Sequence, residues 1–285
     1  MILPAFQKTL IKILLLGLVI TSFSLHSTTL AEEVLKIGGT GTALGSMQLL
    51  VKAFEKSYPG INVMVILPSI GSGGAIKAAS KGAIDIGLSA RPLKDEERKL
   101  GLSAIEYAKT PFVLVVRKDV NISGLSTDEI IKIYRGEKET WPGGERIRLV
   151  LRPATDTDTI LVKKISSEMS NAVDMAYSRQ GMTIALTDQD CVDIIEKTPG
   201  GLGFTTLTQI VSEKRPLKIL SFNGVTPSTK TLANGSYPLF KSLYMVTKIE
   251  PSVLVQRFID FVRSLGGRKI LEESGNVPMI GKPGK

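Results

Sequence analysis

The chain has 285 residues, of which 43% are hydrophobic and 22% charged, and its formal net charge is +9. Its only histidine, His26, lies in an N-terminal segment that we expect to be removed, which excludes histidine-dependent triads and zinc sites. Its only cysteine, Cys191, leaves no internal disulfide and has the setting of a buried helix position. The basic residues are scattered, which favours a small anionic ligand, or a simple contribution to solubility, over nucleic-acid binding. We therefore predict no catalytic residues, no metal site and no cofactor.

The N-terminal segment has the features of a secretory signal peptide. Two lysines precede the apolar run at 13–20, and no acidic residue comes before position 32. Small residues at 29–31 predict cleavage after Ala31, so residues 1–31 would be removed. The mature protein, of about 254 residues, would then be periplasmic or otherwise secreted. An uncleaved membrane anchor is the alternative interpretation.

Strand and helix patterns alternate along the rest of the chain. Strands are predicted at 34–38, 61–67, 84–87, 111–117, 147–152, 201–205, 217–221 and 243–248. Ser126 and Glu129 have the spacing of a capping box, and Pro251 is placed to open a helix that runs to Ser264. This alternation predicts an α/β fold with mainly parallel sheets.

Two extended segments, at 111–117 and 242–248, bracket a central block that has its own β–α units. The pattern is typical of a chain that crosses once from one lobe to another and returns once. We predict a first lobe from residues 32–115 and 242–285, and a second lobe from residues 116–241.

Two turns of small residues each follow a predicted strand and precede a predicted helix. The first lies at 38–42, before a helical stretch at 45–57, and the second lies at 71–74. Unpaired N–H groups in the first turn of a helix bind anions. Each turn alone is also explained as a tight turn, but their repetition in successive β–α units predicts one shared anion site.

Further motifs make the chain resemble a known family. They are the two glycine turns, 85–92, 133–136 with Trp141, 198–204, 237–239 and 275–278. Together they resemble the phosphate-binding proteins of ABC importers, the PstS-like branch of type II periplasmic binding proteins. The resemblance implies two lobes, each a mainly parallel sheet flanked by helices, with the ligand cleft between them. Tyr134 and Trp141 are interpreted as packing residues.

The resemblance also implies a set of contacts to a small oxyanion. They are Gly41, Thr42, Ala43, Ser72, Gly73, Ser89, Arg152, Thr157, Asp158 and Thr159. Arg152 matches an arginine that grips oxyanion oxygens, a task suited to a planar guanidinium that donates two parallel hydrogen bonds.

The chain departs from the family pattern at two places. Ala90 stands where some members have an aspartate that accepts the proton of phosphate, and Asp156 and Asp158 place carboxylates in a turn that is Ser-Gly-Thr in the family. At a separation of about 4 Å, an ionised carboxylate repels an anion by roughly 4 kcal/mol at an effective dielectric constant of about 20. Either Asp156 caps a helix and Asp158 complements its dipole, or one of them accepts the proton of phosphate.

The implied function is a secreted, monomeric solute-binding protein. It would close two lobes around an oxyanion, phosphate first, and deliver it to an ABC permease in the membrane. One alternative is a sensor, adhesion or scaffold protein with an altered anion pocket. Another is a metal-dependent hydrolase that uses Asp156, Asp158, Asp188 and Asp190, but these aspartates are more simply explained as helix caps and solvated turns.

Overall fold

The computed structural model describes residues 34–279, so the predicted signal peptide and its cleavage position at Ala31 lie outside the described residues. The strands are β1 Val34–Gly39, β2 Asn62–Val65, β3 Ile86–Ser89, β4 Leu102–Arg117, β5 Gly124–Leu125, β6 Arg148–Leu151, β7 Thr183–Ile184, β8 Gly201–Thr206, β9 Leu217–Ile219, β10 Ser221–Phe222, β11 Phe240–Lys248 and β12 Val277–Pro278. The helices are α1 Gly41–Ser57, α2 Gly71–Ser80, α3 Asp95–Arg98, α4 Thr127–Arg135, α5 Thr157–Lys163, α6 Ser167–Ser178, α7 Asp188–Lys197, α8 Leu207–Ser212, α9 Thr229–Ala233, α10 Val253–Arg263 and α11 Leu265–Glu273.

One mixed sheet runs through this part of the chain, in the order β2-β1-β3-β11-β4-β8-β6-β7. Its two ends are parallel: β1 pairs with β2 and β3, and β6 pairs with β7 and β8. Its centre is antiparallel, because β11 and β4 run side by side in opposite directions. The predicted α/β class is confirmed, with parallel pairing at the flanks and antiparallel pairing in the middle.

The predicted strand at 111–117 is only the second half of β4, which begins at Leu102. The first half contains Glu106 and Lys109, and these charges interrupt the apolar run that identifies a buried strand. Pairing with β11 explains why this half is nevertheless extended: Glu106 lies opposite Tyr244 and Lys109 opposite Ser242.

Two large apolar cores are joined by β4. We call the place where β4 passes from one core to the other the crossing. The first core takes its buried residues from positions 35–108 and 243–271, and the second from positions 112–237. β4 contributes Tyr107 to the first core and Phe112 to the second. The lobe boundaries proposed from the sequence stay a prediction.

Two helix starts differ from the sequence prediction. α1 begins at Gly41 rather than at position 45, so part of the first glycine turn is already helical. A Cβ atom at Gly41 would come within 2.7 Å of an Asp188 carboxylate oxygen, so glycine is needed here for the close approach of α7. α10 begins at Val253, and Ser252 rather than Pro251 precedes it, because the Ser252 hydroxyl accepts a hydrogen bond from the amide of Val255.

Other local predictions are confirmed. Ser126 and Glu129 form the predicted capping box at the start of α4. Tyr134, Trp141 and Cys191 are buried in the apolar cores. Within residues 34–279, no helix combines the length and the apolar character needed to cross a bilayer.

Candidate functional site

Five charged side chains gather where the sheet crosses from one core to the other, next to the first turns of α1, α5 and α7. We call them the ionic cluster, and they are Arg152, Asp156, Asp158, Asp188 and Lys241. Asp156 is partly exposed, and the other four side chains are at most 7% exposed. Charges this deeply buried persist only when they are paired.

Lys241 reaches the cluster from the second residue of β11. Successive side chains of a strand point to opposite faces, and Lys241 is in phase with the buried residues Leu243 and Met245. Its Nζ donates a hydrogen bond to Thr42 Oγ1 at 2.9 Å. The same ammonium forms ion pairs with Asp158 and, at 3.4 Å, with Asp188. The cluster thus contains a fully buried cation, the ammonium group of Lys241, next to Thr42 at the end of the first glycine turn.

Arg152 follows β6 directly and lies at the centre of the three carboxylates. Its Nη1 donates to the carbonyl oxygen of Ala185 at 2.8 Å, and its Nη2 donates to Asp156 at 3.0 Å. Asp188 and Asp158 lie 3.8 and 4.0 Å from the guanidinium. Among residues 34–279, the buried Nε of Arg152 makes no hydrogen bond, since the Asp158 carboxylate oxygen that faces it is 4.0 Å away. The guanidinium therefore keeps one donor for a further acceptor.

Asp188 joins α7 to α1, since Thr42 Oγ1 donates to its carboxylate at 2.9 Å. The sequence interpretation of Asp188 as a cap or solvated turn residue is wrong. Thr187 and Asp190 form the capping box that satisfies this helix start, as expected for Asp190. The Asp188 side chain is consequently not needed by its own helix and turns toward Thr42 and Lys241.

Asp156 and Asp158 have different roles within the same turn. Asp156 caps α5, as the capping interpretation states, by accepting a hydrogen bond from the amide of Asp158 at 2.9 Å. Asp158 lies in the first turn of α5, as that interpretation also states, and its side chain is in addition buried against Lys241. The carboxylate of Asp158 therefore belongs to the cleft rather than to the helix end alone.

The cluster has three carboxyl groups and two cations, so one carboxyl has no cation of its own. Burial, together with the neighbouring charges of Asp188 and Asp156, raises the pKa of Asp158 to about 7 despite the attraction of Lys241. Burial also works against the charge of Asp188, but Lys241, Arg152 and the Thr42 hydroxyl outweigh it and lower the pKa of Asp188. Burial likewise opposes the charge of Lys241, and the two carboxylates overcome this and raise its pKa.

Several of the sequence-predicted contact residues use their polar groups within the protein. Ser72 Oγ accepts a hydrogen bond from the amide of Ala90 at 2.9 Å, and Ser89 Oγ donates to the carbonyl oxygen of Arg91 at 2.7 Å. The amide of Ala43 donates to the carbonyl oxygen of Thr40 at 3.2 Å. Thr159 Oγ1 donates to the backbone carbonyl oxygen of Arg152 at 3.3 Å. Gly73 is exposed, and Thr157 is half-buried beside Asp158.

The structure therefore brings only some of the predicted residues together. Gly41, Thr42, Arg152 and Asp158 meet at the cluster, with Gly41 contacted by Gln189 of α7. Within residues 34–279, no hydrogen bond or ion pair connects Ser72 or Ser89 to the ionic cluster. Their role as oxyanion contacts stays a prediction.

Sequence reasoning missed Lys241 and the part played by Asp188. The signal for Lys241 was its phase: in the segment 240–248 a lysine occupies a position that alternation assigns to the buried face. A buried lysine requires a partner, which would have directed attention to the carboxylates near α5 and α7. For Asp188 the chain offers no comparable local signal.

Comparison with known proteins now places the chain. Residues 26–264 match the PBP superfamily domain. The phosphate-binding protein PstS of Bacillus subtilis is 30% identical, over 86% of this chain and 82% of that protein. The chain belongs to the PstS family of the PBP superfamily.

Two further relatives agree with this family. The phosphate-binding protein PstS of Borreliella burgdorferi is 24% identical, over 86% of this chain and 89% of that protein. A substrate-binding protein of Clostridium perfringens, assigned to phosphate ABC transport and crystallised with bound phosphate, superposes with a TM-score of 0.74 at 21% identity. This superposition covers 87% of the chain and 100% of the C. perfringens protein, so the two proteins share their fold over most of this chain.

Proposed function

We propose that the chain is the exported, monomeric solute-binding protein of an ABC importer and that it captures phosphate at the ionic cluster. The family membership supports this proposal, because the relatives are named as phosphate-binding proteins. The observation in the site that carries it is the pair of buried cations, Arg152 and Lys241, next to Thr42 at the crossing between the cores. Such groups are the donors that an oxyanion needs.

The excess carboxylate in the cluster indicates which oxyanion the site takes. A phosphate that still carries a proton can donate a hydrogen bond to the ionised carboxylate of Asp158, whereas sulfate is fully deprotonated near neutral pH, has no proton to donate and is repelled by that carboxylate. A carboxyl group with a pKa near 7 can share that proton with phosphate. We infer that Asp158 takes over the proton-accepting role that Ala90 cannot perform.

Binding rather than catalysis is the function of this site in the proposal. Asp156 is committed to capping α5 and to Arg152. Burial raises the pKa of Cys191 to about 12, which keeps this thiol protonated and unreactive. Delivery to a membrane permease would follow closure of two lobes, formed by residues 32–115 with 242–285 and by residues 116–241.

Competitive calorimetric titration of phosphate against sulfate tests the proposal. The wild-type protein should prefer phosphate by at least about tenfold, since one lost hydrogen bond to a charged group amounts to 1.5–3 kcal/mol. The double variant Asp156→Asn, Asp158→Asn should lose most of this preference. Asp156→Asn alone is the matched control, because asparagine still caps α5 and leaves Asp158 in place.

Each outcome of the titration has a distinct meaning. A phosphate-to-sulfate ratio that is unchanged in the double variant contradicts the proton-accepting role of Asp158. Small-angle scattering on the same samples should show a more compact particle with phosphate, and an unchanged radius with bound phosphate contradicts lobe closure.

A second candidate is favoured by one observation. Asp158 and Asp188 already contact Lys241 and Thr42, which are groups that an oxyanion would need. A scaffold or sensor whose own carboxylates replace the ligand is therefore the alternative. It predicts that none of phosphate, sulfate, arsenate or molybdate binds with micromolar affinity.

A further inference from the structure

A cavity of about 420 Å³ adjoins the ionic cluster. Its lining includes Lys241, which belongs to the cluster, and Thr157, which flanks it. Its other walls are Ala90, Arg91, Pro92, Phe112, Ile160, Leu161, Lys164, Ile165, Pro238, Leu239, Phe240, Ser242 and Tyr244. Residues from both sides of the crossing therefore build it. Its volume lies in the range of pockets that hold small organic molecules.

The cavity walls are mostly apolar, and this is unlike the cluster beside them. Ile160 projects from α5 and is 42% exposed, and Phe240, at the start of β11, is 38% exposed. Leu161, Ile165 and Leu239 continue the apolar surface. Large apolar side chains that stay accessible in a cleft indicate contact with an apolar ligand group.

The charges that line the cavity have one sign. Within residues 34–279, its lining includes three cations, Arg91, Lys164 and Lys241, and no acidic side chain. Arg91 is held by Glu97 through two contacts of 2.7 Å. Lys164 has no carboxylate within 4.0 Å among the described residues. Lys241 is paired with Asp158 and Asp188. Lys164 is therefore the lining cation that remains without a carboxylate partner among the described residues, and together with the apolar walls it makes the cavity complementary to a molecule with an anionic group and an apolar group.

We propose that this cavity holds the organic group of a phosphonate or phosphate monoester whose anionic head group binds at the ionic cluster. This inference rests on the proposed function, because it uses the same head-group site. Inorganic phosphate consists of four oxygens around one phosphorus and has no atoms that could contact Ile160 or Phe240. A short alkyl or aryl group on the phosphorus would reach these walls and exclude water from them.

Titration with a homologous series of alkylphosphonates tests the inference. Methyl-, ethyl-, propyl- and butylphosphonate share one head group, so differences in affinity report on the cavity alone. Each added methylene that becomes buried should tighten binding by about threefold to fourfold. The gain should stop when the chain length exceeds the cavity.

A paired substitution shows whether the gain arises in the cavity. Ile160→Asn places a neutral polar group in the wall and should flatten the dependence on chain length, with little change for inorganic phosphate. Leu100→Asn is the matched control, because Leu100 is also exposed, at 52%, and does not line the cavity. Both variants change exposed side chains, and a thermal melt of each verifies folding.

The results separate this inference from the proposed function. Affinity that rises with chain length in the wild type and in Leu100→Asn, but not in Ile160→Asn, supports the inference. Binding of inorganic phosphate without any rise along the series overturns the inference and leaves the proposed function intact. An absence of binding by phosphate and by every phosphonate overturns both.

Discussion

The first turns of α5 and α7 each place an aspartate in the same buried cluster, and the two carboxyl groups behave in opposite ways. The side chains of Asp158 and Asp188 are 3% and 7% exposed, and both contact Lys241. The pKa of Asp158 rises to about 7, whereas the pKa of Asp188 falls. Burial alone would raise both values.

The difference lies in the donors that face each carboxyl group. Asp188 accepts the hydrogen bond of Thr42 and also lies between Arg152 and Lys241. Asp158 lies against Lys241 but has Asp156 and Asp188 as acidic neighbours. One hydroxyl and the order of the neighbouring charges are thus enough to make one aspartate a fixed anion and the other a proton carrier.

Among the substitutions that probe the difference between Asp158 and Asp188, Arg152→Ala should have the largest effect. It removes the cation that lies near all three carboxylates, so the pKa of Asp158 and that of Asp188 should both rise. Loss of one partner from a buried ion pair costs about 3–5 kcal/mol of stability. Phosphate affinity should fall by about a hundredfold, because a charge-assisted contact is lost. Urea unfolding and calorimetric titration measure the two effects.

Arg148→Ala is the control for this change. Arg148 lies at the other end of β6 and is exposed, and its guanidinium donates only to the carbonyl oxygen of Pro199 among the bonds described. Its removal should change stability by less than about 1 kcal/mol. Equal effects for Arg148 and Arg152 would show that the ionic cluster makes no special contribution.

The next largest effect is the pH dependence of Asp158→Asn. The folded pKa of Asp158, about 7, lies above its ordinary value of 3.8, so its contribution to stability is complete below about pH 4 and is lost as the pH rises through 7. Asparagine cannot titrate. Between pH 5 and pH 8, the free energy of unfolding of the wild type should therefore fall by on the order of 2 kcal/mol relative to that of the variant.

Asp188→Asn sharpens this result because its sign is opposite. The folded pKa of Asp188 is lowered, so its contribution is present above the ordinary value of 3.8 and is lost only as the pH falls through the folded pKa. Asp188→Asn should therefore be less stable than the wild type at both pH 5 and pH 8. Urea titrations in which the two variants change stability in parallel with pH would contradict the assignment of the proton to Asp158.

The smallest effect is expected for Asp156→Asn. Asparagine accepts the hydrogen bond from the amide of Asp158 as well as aspartate does, so the cap of α5 is retained. Only the partly exposed charge facing Arg152 is lost, and such pairs contribute up to about 1 kcal/mol. Asp156→Ala, which also removes the cap, should cost about 1 kcal/mol more in thermal unfolding.

Much of the fold could be predicted from local patterns. β1, β6 and β8 are short runs of apolar or small residues that end in turns, and α4 begins with a complete capping box, so each is identified within one window of sequence. The first half of β4 could not be identified in this way. Its extended form depends on β11, which lies more than a hundred residues further along the chain.

Site residues could be predicted only where the residue type and its neighbours in the sequence are enough to identify their role. Arg152 and Thr42 were found because motifs carry them, whereas Lys241 lies in an ordinary strand segment and receives its role from side chains on α1, α5 and α7. Asp188 was misjudged because its neighbours Thr187 and Asp190 form a capping pattern that explains the segment without it. The alternation of β11 shows that Lys241 is buried, but it does not show which carboxylates Lys241 meets after folding.

Lys241 also lies on the strand that pairs with β4 at the crossing between the two cores. It pairs with Thr110 where β4 passes from one apolar core to the other, and β4 continues through this crossing without a loop while β11 begins beside it at Phe240. A change of angle between the cores would have to twist these two strands, and the twist would move the ammonium relative to Asp158 and Asp188. Linkage requires the reverse as well: if the angle between the cores changes the affinity of this cluster for an ion or a proton, binding of that ion or proton changes the preferred angle.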